Sequence, residues 1–239
     1  MKYFETWDYP GSLNMAIDYV LGSFGESFLR FYTWKVPTLS LGVNQRPKNI
    51  NFKFIKEIGY ECVRRPTGGR AVLHFNELTY SIVIPKTHEY FKLSVLEFYK
   101  KISQIIVEGL NRLGFPAKLT ERVQNGNTSA CFDAPSWYEI TLNGYKVVGS
   151  AQMRTKDFIL QHGSIILETN NEIKYCFKDM KNDVVQYGLD QHMKIDIKKL
   201  KNTLFETFNN YFNLEKLNEI EKIIEKAETA KERFVCREN

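Results

Sequence analysis

Hydrophobic and polar positions follow two different periods along this chain, and the period predicts which segments form helices and which form strands. Apolar residues recur at helical spacing in residues 13–21, where Ser12 is placed to cap the helix, and a short helix is predicted at residues 51–58. Runs of β-branched and aromatic residues predict strands at residues 28–34, 38–43, 60–65, 71–74 and 78–84. The first third of the chain therefore mixes helices with short strands.

The clearest helix signal follows residue 94. Ser94 and Glu97 have the spacing of a capping box, in which each side chain satisfies a free amide at the start of the helix. A single apolar stripe then runs to Gly114 and is formed by Phe98, Ile102, Ile105, Ile106, Leu110 and Leu113. The stripe predicts a helix that packs one side on the core.

A tight hairpin is predicted at Asn143 and Gly144, because both turn positions need residues that tolerate positive φ. The turn joins predicted strands at residues 137–142 and 145–151, and residues 158–167 extend the meander. Strand alternation then places Lys146 on the same face as Val148, Ser150, Gln152 and Arg154, and opposite to Gly149 and Ala151. Such a polar face is usually the wet side of a sheet.

Two further helices, at residues 197–211 and 214–231, complete the pattern, which contains no internal repeat or linker. Antiparallel strands with separate helices predict an α+β fold, a mixed and largely antiparallel sheet flanked by helices. A chain of 239 residues with 43% hydrophobic content can bury one sizeable core. We therefore expect a single domain over residues 1–239, with C-terminal helices at about residues 197–233.

Charge and hydropathy narrow the choice of partners. The net charge of +5 comes from 33 basic and 28 acidic residues without a run of like charges, which argues against nucleic-acid binding. No stretch approaches the roughly 18 apolar residues of a membrane span, and Glu5 and Asp8 interrupt the position of a secretion signal. The sequence predicts a cytoplasmic protein that does not bind membranes, with a mildly basic surface that favours acidic partners.

The four cysteines, Cys62, Cys131, Cys176 and Cys236, are scattered, without a C-x-x-C pair or a histidine at zinc-ligand spacing. We therefore expect no metal and free thiols. Cys131, between Ala130 and Phe132, has the surroundings of a small buried residue. It also lies at the mouth of the strand that pairs with the Lys146 strand, and a nearby ammonium group would favour a nucleophilic thiolate.

A loop between two predicted strands, with the sequence Arg64-Arg65-Pro66-Thr67-Gly68-Gly69-Arg70, is a candidate binding site. Paired glycines let backbone amides approach a phosphate or carbonyl closely, and the arginines suit an anionic group. A β-turn with solvated arginines is an equally good interpretation. The loop is neither a P-loop nor a Rossmann fingerprint.

Three other residues are candidates for the site. His74 and His162 each have the chemistry of a general base, but a histidine satisfied by backbone groups is equally consistent with their surroundings. Gly149 lies inside a predicted strand, where glycine often marks the close approach of a ligand or a second backbone.

Taken together, these segments resemble the lipoate–protein ligase and octanoyltransferase family, which shares its fold with biotin–protein ligases. The matching segments keep the family's order over most of residues 1–167: they are residues 14–18, 30–34, 39–45, 64–74, 77–81, 143–154 and 160–167. Beyond residue 167 the resemblance is mainly of helical character.

The resemblance implies roles for individual residues. Arg65, Gly68 and Gly69 would hold the acyl head, and Lys146 would contact the reacting carbonyl. The segment around Cys131 looks like that of the cysteine-type octanoyltransferases, so Cys131 inherits the role of nucleophile. The implied substrate site also includes Thr67, Arg70, His74, Gly149, Ser150, Ala151, His162 and Gly163.

The implied reaction is the transfer of an octanoyl group from octanoyl-acyl carrier protein, through a thioester on Cys131, to the lysine of a lipoyl domain. A glycine-cleavage H protein and a dehydrogenase E2 subunit are the expected kinds of acceptor, and no cofactor is required. Two positions depart from the family, since Phe75 and Tyr19 stand where acidic residues are common.

Two other functions stay open. An ATP-dependent lipoate–protein ligase would use ATP and Mg²⁺, bind the acyl-adenylate with Lys146 and leave Cys131 incidental. Many such ligases carry an accessory domain, and the roughly 70 residues after Leu167 leave little room for one, although a separate accessory protein would supply it. The second alternative is a non-catalytic module that binds the carrier domain.

Overall fold

The computed structural model describes residues 1–120, 138–179 and 184–238. In these ranges the α-helices are α1 (Gly11–Leu21), α2 (Phe52–Glu57), α3 (Val95–Arg112), α4 (Ile197–Phe212) and α5 (Glu221–Ala230). The strands are β1 (Lys2–Tyr9), β2 (Phe28–Trp34), β3 (Thr38–Leu41), β4 (Glu61–Arg64), β5 (Val72–His74), β6 (Glu77–Pro85), β7 (Ala117–Thr120), β8 (Glu139–Leu142), β9 (Tyr145–Arg154), β10 (Phe158–Ile166) and β11 (Glu215–Lys216).

The strands form two sheets. The larger has the order β11-β1-β2-β6-β10-β9-β8-β7, and the smaller has the order β4-β3-β5. Pairing is parallel between β1 and its two neighbours and between β3 and β4, and antiparallel elsewhere. The predicted α+β fold with a mixed, largely antiparallel sheet flanked by helices is confirmed.

The large sheet buries both of its faces. On one face, α3 and α4 cover a core built from aliphatic and aromatic side chains of the strands. The predicted stripe of α3 forms part of this core, and both bonds of its capping box are present. On the other face, α1 and α5 cover one end of the strands. The small sheet carries a third core of its own.

Three local predictions need correction. Helix α1 begins at Gly11 without a Ser12 cap, and the first amide instead donates to Glu61 Oε2 at 2.6 Å. The pattern does not predict β1, which pairs parallel with β2. The last helix starts at Glu221 rather than residue 214, because residues 215–216 form β11 and hydrogen-bond to the edge of β1.

The turn at Asn143 and Gly144 is confirmed, with φ values of 51° and 86°. In the ranges that the structure covers, no helix is long and apolar enough to cross a membrane. The extent of the domain and the cellular location stay predictions.

Candidate functional site

The strands β2, β6, β10 and β9 carry polar side chains on the face that looks toward β3 and β5. These side chains surround a narrow inner pocket of about 30 Å³. Seven of the predicted substrate-site residues line it: Arg65, His74, Gly149, Ser150, Ala151, His162 and Gly163. The structure therefore brings together residues from four separate places in the chain.

A buried polar relay lies on one side of the inner pocket. Asp18 of α1 binds Arg30 Nη1 at 2.9 Å, the Tyr32 hydroxyl at 2.9 Å and His162 Nδ1 at 2.9 Å. His162 Nε2 lies 2.7 Å from the hydroxyl of Thr67. Because Asp18 accepts the Nδ1 proton, Nε2 is the acceptor for Thr67. The relay thus connects α1 to the predicted binding loop.

The relay fixes the protonation states of its members. Burial by itself would raise the pKa of Asp18, but the hydrogen bond to His162 and the charge of Arg30 outweigh it, so the pKa lies below its usual value. Burial lowers the pKa of His162, and the opposing effect of Asp18 does not cancel this. Asp18 is therefore a carboxylate and His162 a neutral imidazole at neutral pH.

Arg65 organises the loop that follows it. Its guanidinium donates to the carbonyls of Ser40 at 3.0 Å, Gly68 at 2.7 Å and Arg70 at 2.7 Å, and its side chain is almost fully buried. In this structure Arg65 therefore stabilises the loop itself. Its predicted contact with an acyl head stays a prediction.

The loop also packs closely on the end of β3. A Cβ atom on Gly42 would lie 2.0 Å from the carbonyl oxygen of Gly69, and Gly69 has a φ of 93°. Both positions therefore require glycine. Arg64 holds the same corner by donating to the carbonyls of Gly42 at 3.0 Å and Gln45 at 2.6 Å.

Lys146 takes a different face from the one that strict alternation predicts. The register between β8 and β9 shifts, so that Ile140 pairs with Val148 while Thr141 pairs with Lys146. Val147 is the extra residue of this bulge, and Val147 and Val148 are both buried in the core under α3. The bulge turns Lys146 to the face that carries Gly149 and Ala151.

Lys146 forms a buried ion pair on that face. Its Nζ donates to Glu139 Oε1 at 2.7 Å, with side-chain exposures of 10% for Lys146 and 1% for Glu139. The second oxygen of Glu139 is buried without a hydrogen-bond partner. A lysine held this way presents a fixed positive charge on the sheet face whose residues Gly149 and Ala151 line the inner pocket.

Glu77 and His74 form a second polar group at the opposite side. His74 Nδ1 donates to Glu77 Oε1 at 2.7 Å, and His74 Nε2 lies 2.8 Å from the Ser40 hydroxyl. The His74 ring stacks on Trp34 with centroids 3.9 Å apart. Side-chain hydrogen bonds therefore satisfy both ring nitrogens of His74.

Gly163 and Ser150 lie next to each other, and they pack together on the side of the sheet that faces α3. The Ser150 hydroxyl bonds the Tyr80 hydroxyl at 2.8 Å, and a Cβ on Gly163 would lie 2.5 Å from Ser150 Oγ. Both residues line the inner pocket, and the Ser150 hydroxyl lies at Tyr80, which belongs to the core that α3 covers. Cys131 lies outside the described residues.

Comparison with known proteins decides the family. The profile of the lipoyl protein ligase A/B catalytic domain matches residues 11–210. The chain belongs to this family.

Similar curated proteins carry the name octanoyltransferase LipM. That of Carboxydothermus hydrogenoformans is 48% identical over 177 residues, which cover 69% of this chain and 66% of that protein. That of Anoxybacillus flavithermus is 36% identical over 241 residues, covering 90% and 87%. These relatives support the predicted octanoyltransferase class, whereas the acyl donor and the cysteine thioester stay predictions.

Solved structures of lipoate ligases share the fold. A putative lipoate protein ligase from Thermoplasma acidophilum with bound lipoic acid has a TM-score of 0.76 at 18% identity and covers 97% of this chain and 95% of that chain. Lipoate-protein ligase A bound with ATP has a TM-score of 0.74 at 19% identity, covering 97% and 93%. At this identity the likeness shows the fold alone.

The sequence pattern did not predict four buried charged residues of the candidate site: Asp18, Arg30, Glu77 and Glu139. Each is a charged residue inside an apolar helix or strand, and Arg30, Glu77 and Glu139 lie on strands. A charge in an apolar run signals a buried partner, because an unpaired buried charge is costly.

In the ranges with described side chains, no group of three His, Cys, Asp or Glu residues is arranged to hold a metal.

Proposed function

We propose that the protein is an octanoyltransferase that carries the octanoyl group as a thioester on Cys131. The donor is octanoyl-acyl carrier protein, and the acceptor is the lysine of a lipoyl domain such as a glycine-cleavage H protein or a dehydrogenase E2 subunit. The observation that carries this proposal is the buried Lys146–Glu139 ion pair, on the sheet face that carries the pocket residues Gly149 and Ala151.

Similarity to octanoyltransferases supports octanoyl as the acyl group that is transferred. The match extends over 69% to 90% of the chain in the two relatives described above. An enzyme that takes its acyl group from an existing thioester has no need to activate a free acid. The proposal therefore requires neither ATP nor a metal.

Lys146 supplies the electrostatics of both steps. An ammonium group close to Cys131 favours the thiolate, which is the nucleophilic form. The same charge stabilises the oxyanion of each tetrahedral intermediate, and removal of one such donor typically lowers the rate by about 10²–10³. Glu139 keeps Lys146 in place, so Glu139 is a positioning residue.

The reaction then runs in two balanced steps. The Cys131 thiolate attacks the thioester carbon of octanoyl-acyl carrier protein, and the carrier leaves as its thiol after taking up a proton. The neutral amine of the acceptor lysine attacks the new thioester, the C–S bond breaks, and the amide nitrogen gives a proton to the departing Cys131 sulfur. Splitting the transfer lets one site serve two bulky partners in turn.

The test measures octanoylation of a lipoyl domain with two different acyl sources, octanoyl-acyl carrier protein without ATP and free octanoate with ATP. With octanoyl-acyl carrier protein and no ATP, the wild type should modify the acceptor, while Cys131→Ser should not. Modification that appears only with free octanoate and ATP would overturn the proposal and establish the ligase alternative. No modification under either condition would establish the non-catalytic carrier-binding module.

Cys236→Ser is the matched control for the thiol. The hydrogen bond with Cys62 lowers the pKa of Cys236 to about 7, which makes Cys236 the informative thiol for comparison. We expect full activity from Cys236→Ser. Lys146→Met leaves Glu139 buried without its cation, so it should lower stability. The folded fraction should also lose about 100-fold or more in rate, as expected for loss of an oxyanion donor.

A further inference from the structure

Glu77 is a buried carboxylate in which one oxygen accepts four hydrogen bonds and the other accepts none. The residue is 4% exposed. Its Oε1 accepts from His74 at 2.7 Å, Ser164 at 2.6 Å, Thr79 at 2.8 Å and Trp34 Nε1 at 3.1 Å. Its Oε2 is buried without a hydrogen-bond partner. Such an atom calls for an explanation, because buried acceptors are almost always satisfied.

The other two buried acids of the site have cations. Asp18 pairs with Arg30 at 2.9 Å, and Glu139 pairs with Lys146 at 2.7 Å. Among the described residues, no lysine or arginine forms an ion pair with Glu77, and its ion-pair partner there is His74. Glu77 is thus the acid of this site that is left to receive a cation from outside.

A route to Glu77 is present. An outer cleft of about 640 Å³ is lined by Glu77 and His74 and runs out to exposed residues including Asn76 and Lys194. His74 and Trp34 also line the inner pocket. The outer cleft and the inner pocket, where the acyl carbonyl is expected, therefore adjoin at these two side chains.

The charges of the outer cleft suit a cation. Its lining contains four carboxylates, from Asp8, Glu77, Glu168 and Asp196, and two amines, from Lys35 and Lys194. Phe75 and Ile195 give apolar walls for the methylenes of an alkylammonium chain. A lysine side chain has this combination of an apolar stem and a cationic end.

We propose that the outer cleft admits the lysine of the acceptor domain and that Glu77 binds its ammonium group and removes a proton. This inference rests on the proposed function and assigns the second of its two steps. The carboxylate of Glu77 takes one proton from the ammonium group, which leaves a neutral amine. The amine then attacks the Cys131 thioester, and Glu77 returns its proton to solvent through the cleft.

The sheet places Glu77 suitably for this role. Ser164 of β10 donates to Glu77 and lies opposite Gly149 of β9 in the register of the sheet. The bulge at Val147 lies between Gly149 and the hairpin turn, and it directs the Lys146 side chain to the same face. Glu77 and Lys146 therefore lie on the same face, with β10 between their strands.

The experiment separates the two half-reactions of the intact enzyme. Acylation is followed by mixing with octanoyl-acyl carrier protein, and deacylation by adding lipoyl domain to isolated octanoyl-enzyme. Glu77→Gln should acylate within about 2-fold of the wild-type rate and deacylate about 100-fold more slowly, in the range for loss of a general base. The deficit should shrink at high pH, where the acceptor lysine is neutral without help.

Two variants keep the result interpretable. Glu77→Asp retains a carboxylate and should recover part of the deacylation rate. Glu5→Gln is the matched control, because Glu5 is a strand carboxylate with three partners, Tyr3, Trp7 and Lys201, outside the site. It should change neither half-reaction.

Equal loss of both half-reactions in Glu77→Gln, or a deacylation deficit that does not vary with pH, would overturn the role of Glu77. Absence of any octanoyl-enzyme in the wild type would instead overturn the proposed function. The two failures are thus distinguishable.

Discussion

The two faces of the strands β2, β6 and β10 differ sharply, although they alternate residue by residue along the same segments. Toward α3 and α4 the strands present apolar side chains: Leu29, Phe31, Leu78, Tyr80, Ile82 and Ile165. Toward the inner pocket they present Arg30, Tyr32, Glu77, Thr79, His162 and Ser164, all buried. One face therefore supplies stability through apolar burial, and the other holds charged groups whose burial is tolerated because each is hydrogen-bonded.

The difference predicts that a mutation on the polar face damages both stability and activity, whereas a mutation on the apolar face damages stability alone. The largest effect should come from Asp18→Asn. It leaves the fully buried Arg30 without its carboxylate, and breaking a buried pair costs about 3–5 kcal/mol. It also removes the acceptor that orients His162 toward Thr67.

Urea unfolding and octanoyl transfer measured on the same Asp18→Asn sample check this. We expect lower stability together with slower transfer by the folded fraction. A loss below 1 kcal/mol, roughly the value of one ordinary hydrogen bond, would contradict a charged relay.

Leu204→Ala probes the apolar face. Leu204 of α4 is fully buried and packs against Gly109 of α3. Its truncation should cost about 3 kcal/mol through lost burial and the resulting cavity. Transfer per folded molecule should stay at the wild-type rate. A large fall in that rate in fully folded protein would contradict the claim that the apolar face supplies stability alone.

The pH dependence of stability should belong to the polar face. Burial lowers the pKa of His162 in the folded state, so below about pH 6.5 the unfolded chain binds a proton that the folded chain does not. Stability should therefore fall as the pH drops from about 6.5, by up to about 1.4 kcal/mol per pH unit. The lowered pKa of Asp18 adds a further loss only below about pH 4.

Urea titrations between pH 8 and pH 5 on the wild type and on His162→Gln measure the contribution of His162 to the pH dependence of stability. The variant should show a flatter profile over that range. Identical profiles would mean that His162 does not stay neutral in the folded protein.

Tyr80→Phe should give the smallest effect. The Tyr80 hydroxyl bonds Ser150 at 2.8 Å and accepts from Gln161 at 3.0 Å, in a neutral group on the apolar face. Loss of the hydroxyl should cost about 1 kcal/mol without altering transfer. A transfer defect would show that this network supports the site.

Local signals were strong enough to predict much of the fold. The capping box at Ser94 and the turn at Asn143 and Gly144 depend only on neighbouring residues, and both are present. The start of α1 and the strand β11 depend on distant partners, Glu61 and β1, so the pattern did not predict them.

The site shows the same division. Seven predicted residues line the inner pocket, because a family resemblance carries information about distant contacts. The face of Lys146 was predicted wrongly, since a bulge at Val147 breaks the period of two and no turn residue marks it. Glu77 and Glu139 were missed because their roles depend on partners from other strands.

The central claim is the thioester on Cys131, and intact-protein mass spectrometry tests it most directly. The wild type is mixed with octanoyl-acyl carrier protein without ATP, alongside Cys131→Ser and Cys236→Ser. We predict a hydroxylamine-labile octanoyl adduct on the wild type and on Cys236→Ser, and none on Cys131→Ser. An adduct that persists in Cys131→Ser, or no adduct on the wild type while free octanoate and ATP modify the acceptor, would contradict the mechanism.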